Sequence, residues 1–98
     1  MAMSQTEVSA RLRDYSGWTL QGDAVVRQFT FPSFADAITF VARLAFDAEA
    51  SDHHPDLLIR YRKVTVTWST HSDGGVTERD FTGVEQANRA AAQLANIS

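Results

Sequence analysis

The chain has 98 residues, which fits one domain, and an apolar fraction of 44%, ordinary for a packed core. A formal net charge of −3 gives no broad basic field for nucleic acid; Arg60, Arg62 and Lys63 make a local positive spot that reads as a solvated hairpin edge. The absence of cysteine excludes disulfides, thiolate metal sites and cysteine nucleophiles, and no apolar run approaches the ~20 residues that cross a bilayer.

Val8 and Leu12 are spaced for one face of a helix over Ser4–Asp14, which Gly17 ends. This N-terminal helical segment, residues 1–16, belongs to a single domain spanning 1–98, and Met1–Arg13 contains no apolar signal-peptide core, so a cytoplasmic location is expected. Trp18–Leu20 reads as a short strand, Gln21-Gly22-Asp23 as a turn, and Ala24–Phe31 as a second strand. Pro32-Ser33 marks a boundary, with Ser33 a good N-cap and Asp36 an acidic partner in the first turn. Phe34, Ala37, Ile38, Val41, Leu44, Ala45 and Ala48 then recur at helical spacing to about Glu49 or Ala50, and Pro55 cannot continue that helix. Leu57, Ile59 and Tyr61 alternate in one phase and Val64, Val66 and Trp68 in the other. A slip of phase within one strand would turn its side chains to the wrong face, so a turn or bulge is expected at Tyr61-Arg62-Lys63. The second of these strands delivers Thr70 and His71, and Ser72-Asp73-Gly74-Gly75 is a loop. Thr82 with Glu85 has the spacing of a capping box for a last helix whose stripe is Val84, Ala87, Ala91, Leu94 and Ala95; Thr77 with Asp80 offers a competing start. The order helix, hairpin, helix, hairpin, helix implies an α+β fold, a four-stranded antiparallel sheet with its helices packed on one face.

All three histidines lie in two polar clusters, Asp52-His53-His54-Pro55 and Ser69-Thr70-His71-Ser72-Asp73, each where a regular element should end. Imidazole, with an unperturbed pKa of ~6.5, both gives and takes protons near neutrality. If the clusters meet, one pocket holds every imidazole and suits proton transfer. Glu49 stands four residues before His53, so a helix persisting that far would put its carboxylate beside that ring; Asp52 and Asp73 offer other directions. The plain alternative is a polar helix end. A zinc site is a weaker reading, because adjacent histidines diverge and no His-x-x-x-His or His-x-His spacing is present. Ser69, Thr70 and Ser72 lack the strained elbow of a serine nucleophile, and Ser69 and Thr70 suit hydrogen bonds to a ligand or the finishing of a strand. Dinucleotide and phosphate-loop fingerprints are absent. Trp18 and Trp68 read as core, although either could border a pocket.

The stretch Ala48-Glu49-Ala50-Ser51-Asp52-His53-His54-Pro55, followed by Tyr61, Lys63-Val64, Ser69-Thr70-His71 and Gly75-Val76-Thr77-Glu78-Arg79-Asp80, resembles the pterin-4a-carbinolamine dehydratase family. Gly17-Trp18, Leu20, Phe29, Phe31, Phe34, Ala37, Phe40 and Arg43 extend the resemblance over most of the chain. The resemblance implies three helices on one side of the sheet and a homodimer or homotetramer. It implies removal of water from 4a-hydroxytetrahydropterin to give quinonoid dihydropterin, recycling the pterin of aromatic amino acid hydroxylation, with no metal or organic cofactor. By the same resemblance His53, His54 and His71 match catalytic histidines and Glu49 a supporting carboxylate, while Asp52, Ser69, Thr70 and Ser72 fall in substrate-contacting segments. Trp68 is bulkier than the aliphatic residue usual in the family, and Leu57, Ile59 and Arg62 also depart from its commoner pattern. The family also has members that act as dimerisation or assembly factors, the alternative role for this chain.

Overall fold

Ser4 and Ser33 start the first two helices as their chemistry dictates. In the computed structural model, which describes residues 1–95, the Ser4 hydroxyl accepts the Glu7 N–H while the Glu7 carboxylate accepts the Ser4 N–H, a complete capping box for α1 (Gln5–Leu12). The Ser33 hydroxyl accepts the Asp36 N–H and opens α2 (Phe34–Ser51). A cap of this kind contributes about 1 kcal/mol. Between them lies the hairpin of β1 (Thr19–Gln21) and β2 (Ala24–Thr30). After α2 come β3 (Asp56–Arg60), β4 (Lys63–Trp68), a 3₁₀ turn at His71–Asp73 and α3 (Glu78–Ala95).

The four strands form one antiparallel sheet in the order β1-β2-β4-β3. Its inner face is set by alternation: Val25 lies opposite Trp68, Phe29 opposite Val64, and Leu57 and Ile59 opposite Val66 and Val64. Arg60 pairs with Lys63, so the turn is the two residues Tyr61-Arg62, and this even spacing is what reverses the apolar phase between the two strands. All three helices add to the same core, through Val8 of α1, Phe40 and Leu44 of α2, and Phe81, Val84 and Ala87 of α3. The expected three-helix, four-strand α+β architecture is thus observed. Trp18 and Trp68 are both buried, as expected.

Several boundaries differ from the sequence expectation. β1 begins at Thr19 rather than Trp18, and β2 stops at Thr30, before Phe31 turns its N–H to the carbonyl of Arg62. The α2 stripe divides: Ala37, Phe40, Leu44 and Ala48 are buried, whereas Phe34, Ile38 and Ala45 face solvent. A helix on one face of a sheet buries a narrower arc than its apolar residues cover. α3 starts at Glu78, four residues before Thr82, because the Thr77–Asp80 pair forms the working cap: the Asp80 carboxylate accepts the Thr77 N–H and the Thr77 hydroxyl accepts the Arg79 N–H. Of the expected α3 stripe, Val84, Ala87 and Leu94 are buried and Ala91 is half-buried. The side chain of Ala95 lies outside the described residues. No helix among the described residues is long and apolar enough to cross a membrane.

α1 is tied to α3 by polar contacts as well as by Val8. The Arg11 guanidinium donates to Glu78 at 2.7 Å and lies 4.4 Å over the Phe81 ring, and the Tyr15 hydroxyl donates to Glu85 at 2.7 Å. The hydrogen bond from Arg11 holds the Glu78 carboxyl below its ordinary value of 4.5. A depressed carboxyl stabilises the folded state above its unfolded pKa and loses that contribution as pH falls through the folded one. Hydrogen exchange in α1, corrected for intrinsic rates, should therefore rise as pH drops below 4.5, ahead of global unfolding, and Glu78→Gln should weaken that dependence, leaving the part due to Glu7, which the Ser4 N–H also holds low.

Candidate active site

The last turn of α2 determines where the first histidine cluster points. Asp52 adopts the left-handed conformation (φ 50°, ψ 43°) as the C-cap, and the His53 N–H reaches back to the carbonyl of Ala48 at 3.1 Å. The helix therefore does not continue to His53. The expected pairing of Glu49 with His53 is not made; Glu49 Oε2 lies 2.6 Å from His54 Nε2 instead, with both side chains exposed. The cause is the left-handed residue, which turns the chain away from the i, i+4 geometry and brings the next imidazole to the carboxylate.

His53 turns inward. Its ring stacks on Trp68, with centroids 5.4 Å apart and planes at 22°, and its Nε2 lies 2.6 Å from Asp80 Oδ1. Asp80 has no solvent exposure. Its other oxygen accepts the Thr70 hydroxyl at 2.8 Å and the Thr77 N–H at 2.9 Å. Because Thr70 donates to Asp80, the 2.8 Å contact between the Thr70 and Thr77 hydroxyls has Thr77 as donor. The Thr77 oxygen in turn accepts from Arg79 N–H at 3.2 Å. A polar chain with a defined direction thus joins the start of α3, the end of the second hairpin and the turn after α2. With the carboxylate accepting at both oxygens, the hydrogen on Nε2 belongs to His53, and Nδ1 is the nitrogen left for proton exchange when the ring is neutral.

Thr70 is buried and bridges to Gly75 just beyond β4, which sets His71 at the start of the 3₁₀ turn, exposed. Asp52, His53, His54, Ser69, Thr70, His71, Ser72 and Arg79 surround one open cleft of about 250 Å³. All three imidazoles and all four other expected contact residues therefore border the same space, with Glu49 attached through His54. Within it, the Thr70 hydroxyl is engaged by Asp80 and Thr77, the Ser69 hydroxyl by the carbonyl of Asp23, and the Ser72 hydroxyl by Asp73. Arg79 donates to the carbonyl of Asp52 at 2.7 Å and brings a cation to the rim. Among the described residues, no three His, Cys, Asp or Glu side chains gather closely enough to hold a metal ion.

Local spacing does not reveal Asp80 or Arg79 as site residues. Thr77-Glu78-Arg79-Asp80 reads as a helix cap, and it is one; the same carboxylate that closes the cap also binds His53, 27 residues away. Trp68 as the surface on which His53 rests is equally invisible locally, although its position ahead of Ser69-Thr70-His71 places it near the cluster.

The chain belongs to the pterin 4 alpha carbinolamine dehydratase family, whose model matches residues 1–90. A protein of Roseiflexus sp., provisionally assigned as a pterin-4-alpha-carbinolamine dehydratase, is 51% identical over 79 residues, 81% of this chain and 85% of that one. The crystal structure of a transcriptional coactivator/pterin dehydratase from Brucella melitensis superposes with a TM-score of 0.88 at 38% identity, covering 93% of this chain and 99% of that one. A pterin dehydratase-like protein that is a RuBisCO assembly factor in the alpha-carboxysome shares the fold, with a TM-score of 0.62 at 20% identity over 76% of this chain and 86% of that one.

Proposed function

We propose that the cleft binds a 4a-hydroxytetrahydropterin and removes water from it by histidine acid–base catalysis. The observation that carries this reading is that three imidazoles from two separate segments border one cleft, one of them fixed to a buried carboxylate. In the reaction the N5–H proton is taken by a base, the C4a–N5 double bond forms, the C4a–O bond breaks, and the departing hydroxyl collects a proton and leaves as water. The product is the quinonoid dihydropterin, with no net change in oxidation state.

His53 suits the base. Asp80 holds its Nε2 hydrogen, so Nδ1 receives the proton and the resulting imidazolium lies against a carboxylate. His71, exposed and bordering the same cleft, then supplies the proton to the leaving hydroxyl. His54, held by Glu49, positions the pterin, as do Asp52 and Arg79 at the rim. Ser69, Thr70 and Ser72 shape the wall, and Thr70 acts through Asp80. In this reading the protein works in the cytoplasm, recycling the pterin cofactor of aromatic amino acid hydroxylation. It acts as a homodimer or homotetramer, for which the exposed apolar residues Phe34, Ile38 and Phe46 of α2 supply a contact face.

The competing role is that of a non-catalytic dimerisation or assembly factor on this fold. A scaffold has no need of an imidazole seated on a buried carboxylate, and the likeness to the carboxysome protein extends to the fold. Pterin binding separates the two. In a Trp18→Phe background, Trp68, stacked on His53, becomes the reporter, and a dihydropterin should change its fluorescence with a Kd in the micromolar range. No change at high micromolar concentration would favour the scaffold.

A further inference from the structure

A hollow larger than the histidine cleft lies away from it. It is a groove of about 510 Å³ between the second half of β2 and α3, and it shares no lining residue with the cleft described above. Such a volume is in the range of small-molecule sites. Phe29, Phe31, Pro32 and Ala91 give it apolar walls, and Arg27 and Asn88 give it polar groups.

Arg27 is unusual by position. It is in phase with Val25 and Phe29 on the inner face of the sheet, opposite Val66. Its guanidinium is held on three sides. The carbon lies 4.3 Å over the Phe29 ring, and Nη1 donates to Asn88 Oδ1 at 2.9 Å. On the third side is the backbone of Gly17, at φ 91°, where an added Cβ would stand 2.8 Å from Nε. Asn88 Oδ1 is also occupied by the Trp18 indole N–H at 2.9 Å. The amide hydrogens of Asn88 and the remaining guanidinium hydrogens make no bond among the described residues, and no carboxylate there pairs with Arg27. Burial pushes the Arg27 pKa down. Beside the groove, β1 covers only Ala24–Val26, so Arg27–Thr30 has no neighbouring strand on that edge.

Set between aromatic walls, this fixed, half-buried cation has no anion among the described residues and is a receptor lacking half of its charge pair. We propose that this groove is a second ligand site, for a small aromatic carboxylate whose anion pairs with the Arg27 guanidinium and whose ring lies along Phe29 and Phe31. The planar guanidinium fork favours a carboxylate, which it can meet with two parallel hydrogen bonds. The small residues Ala91 and Ala92 of α3 leave room for a ring.

The test is an NMR titration of the ¹⁵N-labelled full chain with 3-phenylpropionate and, separately, with its neutral amide. The acid should move the Trp18 indole N–H resonance, which reports on Asn88, and the amides of Arg27–Thr30, while the Trp68 indole and the His53 and His71 amides stay in place. The amide should bind at least about tenfold more weakly, and Arg27→Met should weaken the acid by a similar factor. Ala92→Trp, on an exposed position of α3, fills the groove while leaving the guanidinium; it should abolish binding and carries the test if Arg27→Met does not fold. Equal binding of acid and amide, unchanged binding in Ala92→Trp, shifts centred on the histidine cleft, or no shift at about 10 mM ligand would each overturn the proposal.

Discussion

Replacing Asp80 by Asn should lower the dehydration rate by about 10²-fold or more and destabilise the fold by about 1–3 kcal/mol. The substitution keeps the shape but changes what the group offers. With its oxygen toward Thr70 and Thr77, the amide still accepts from both, and its nitrogen then faces His53 Nε2, a donor against a donor. His53 escapes only by moving its hydrogen to Nδ1, the atom needed as base. The opposite amide orientation leaves the Thr70 hydroxyl and Thr77 N–H without an acceptor in a fully buried place. Either a buried hydrogen bond is lost or His53 gives up its free base nitrogen. Urea unfolding and the dehydration rate measure the two effects, and a double variant distinguishes their origin. If Asp80 acts through His53, Asp80→Asn added to His53→Ala should cost little further rate. A single variant with a rate within twofold of the parent would remove Asp80 from the site.

Gly83→Ala should be the most damaging single-methyl change in α3. In a helix interior Ala normally gains about 1 kcal/mol over Gly. Here an added Cβ would stand 2.4–2.6 Å from ring carbons of Trp68, which is fully buried. Something must shift, and overpacking of a tight core costs about 1–3 kcal/mol, enough to reverse the propensity gain. The same indole stacks on His53, so the methyl should disturb catalysis at a distance. Trp68→Leu is the matched relief: it costs stability by itself, yet in combination with Gly83→Ala it should leave the protein more stable than the sum of the two changes by about 1 kcal/mol or more. Thermal unfolding of the four proteins checks this, and strict additivity would mean that Trp68 and Gly83 are not coupled. The Trp68 indole N–H is buried and makes no hydrogen bond among the described residues, an arrangement that costs about 1–3 kcal/mol.

Much of the architecture is legible in the chain because its signals are local. Ser33 before the α2 periodicity, the phase change across Tyr61-Arg62 and the turn at Gln21-Gly22-Asp23 each act within a few residues, and the structure has a helix start, a hairpin and a hairpin there. The meeting of the histidine clusters was inferable from the order of elements, since β4 runs beside β3 and returns the chain to the end of α2. What local reading lacks is partner choice. The Glu49–His54 contact depends on one left-handed residue, Asp52, which spacing rules for a continuing helix do not include. For α3 the spacing favours Thr82 with Glu85 and offers Thr77 with Asp80 as a competing start; the structure uses the second, and its Asp80 also reaches His53 and Thr70, long-range contacts that local spacing does not show. Arg27 carried a visible signal of its own, a cation in phase with Val25 and Phe29, but alternation alone says nothing of the groove beside it.

The central claim is that imidazoles from the end of α2 and from the turn after β4 act together on one substrate. Stopped-flow dehydration of chemically generated 4a-hydroxytetrahydropterin, at fixed pH, with the parent protein, His53→Ala and His71→Ala, tests it most directly. Rapid dehydration by the parent, reduced by roughly 10²-fold or more in each variant, is the expected result. A parent rate no faster than the uncatalysed reaction, or near-parental rates in both variants, would contradict it.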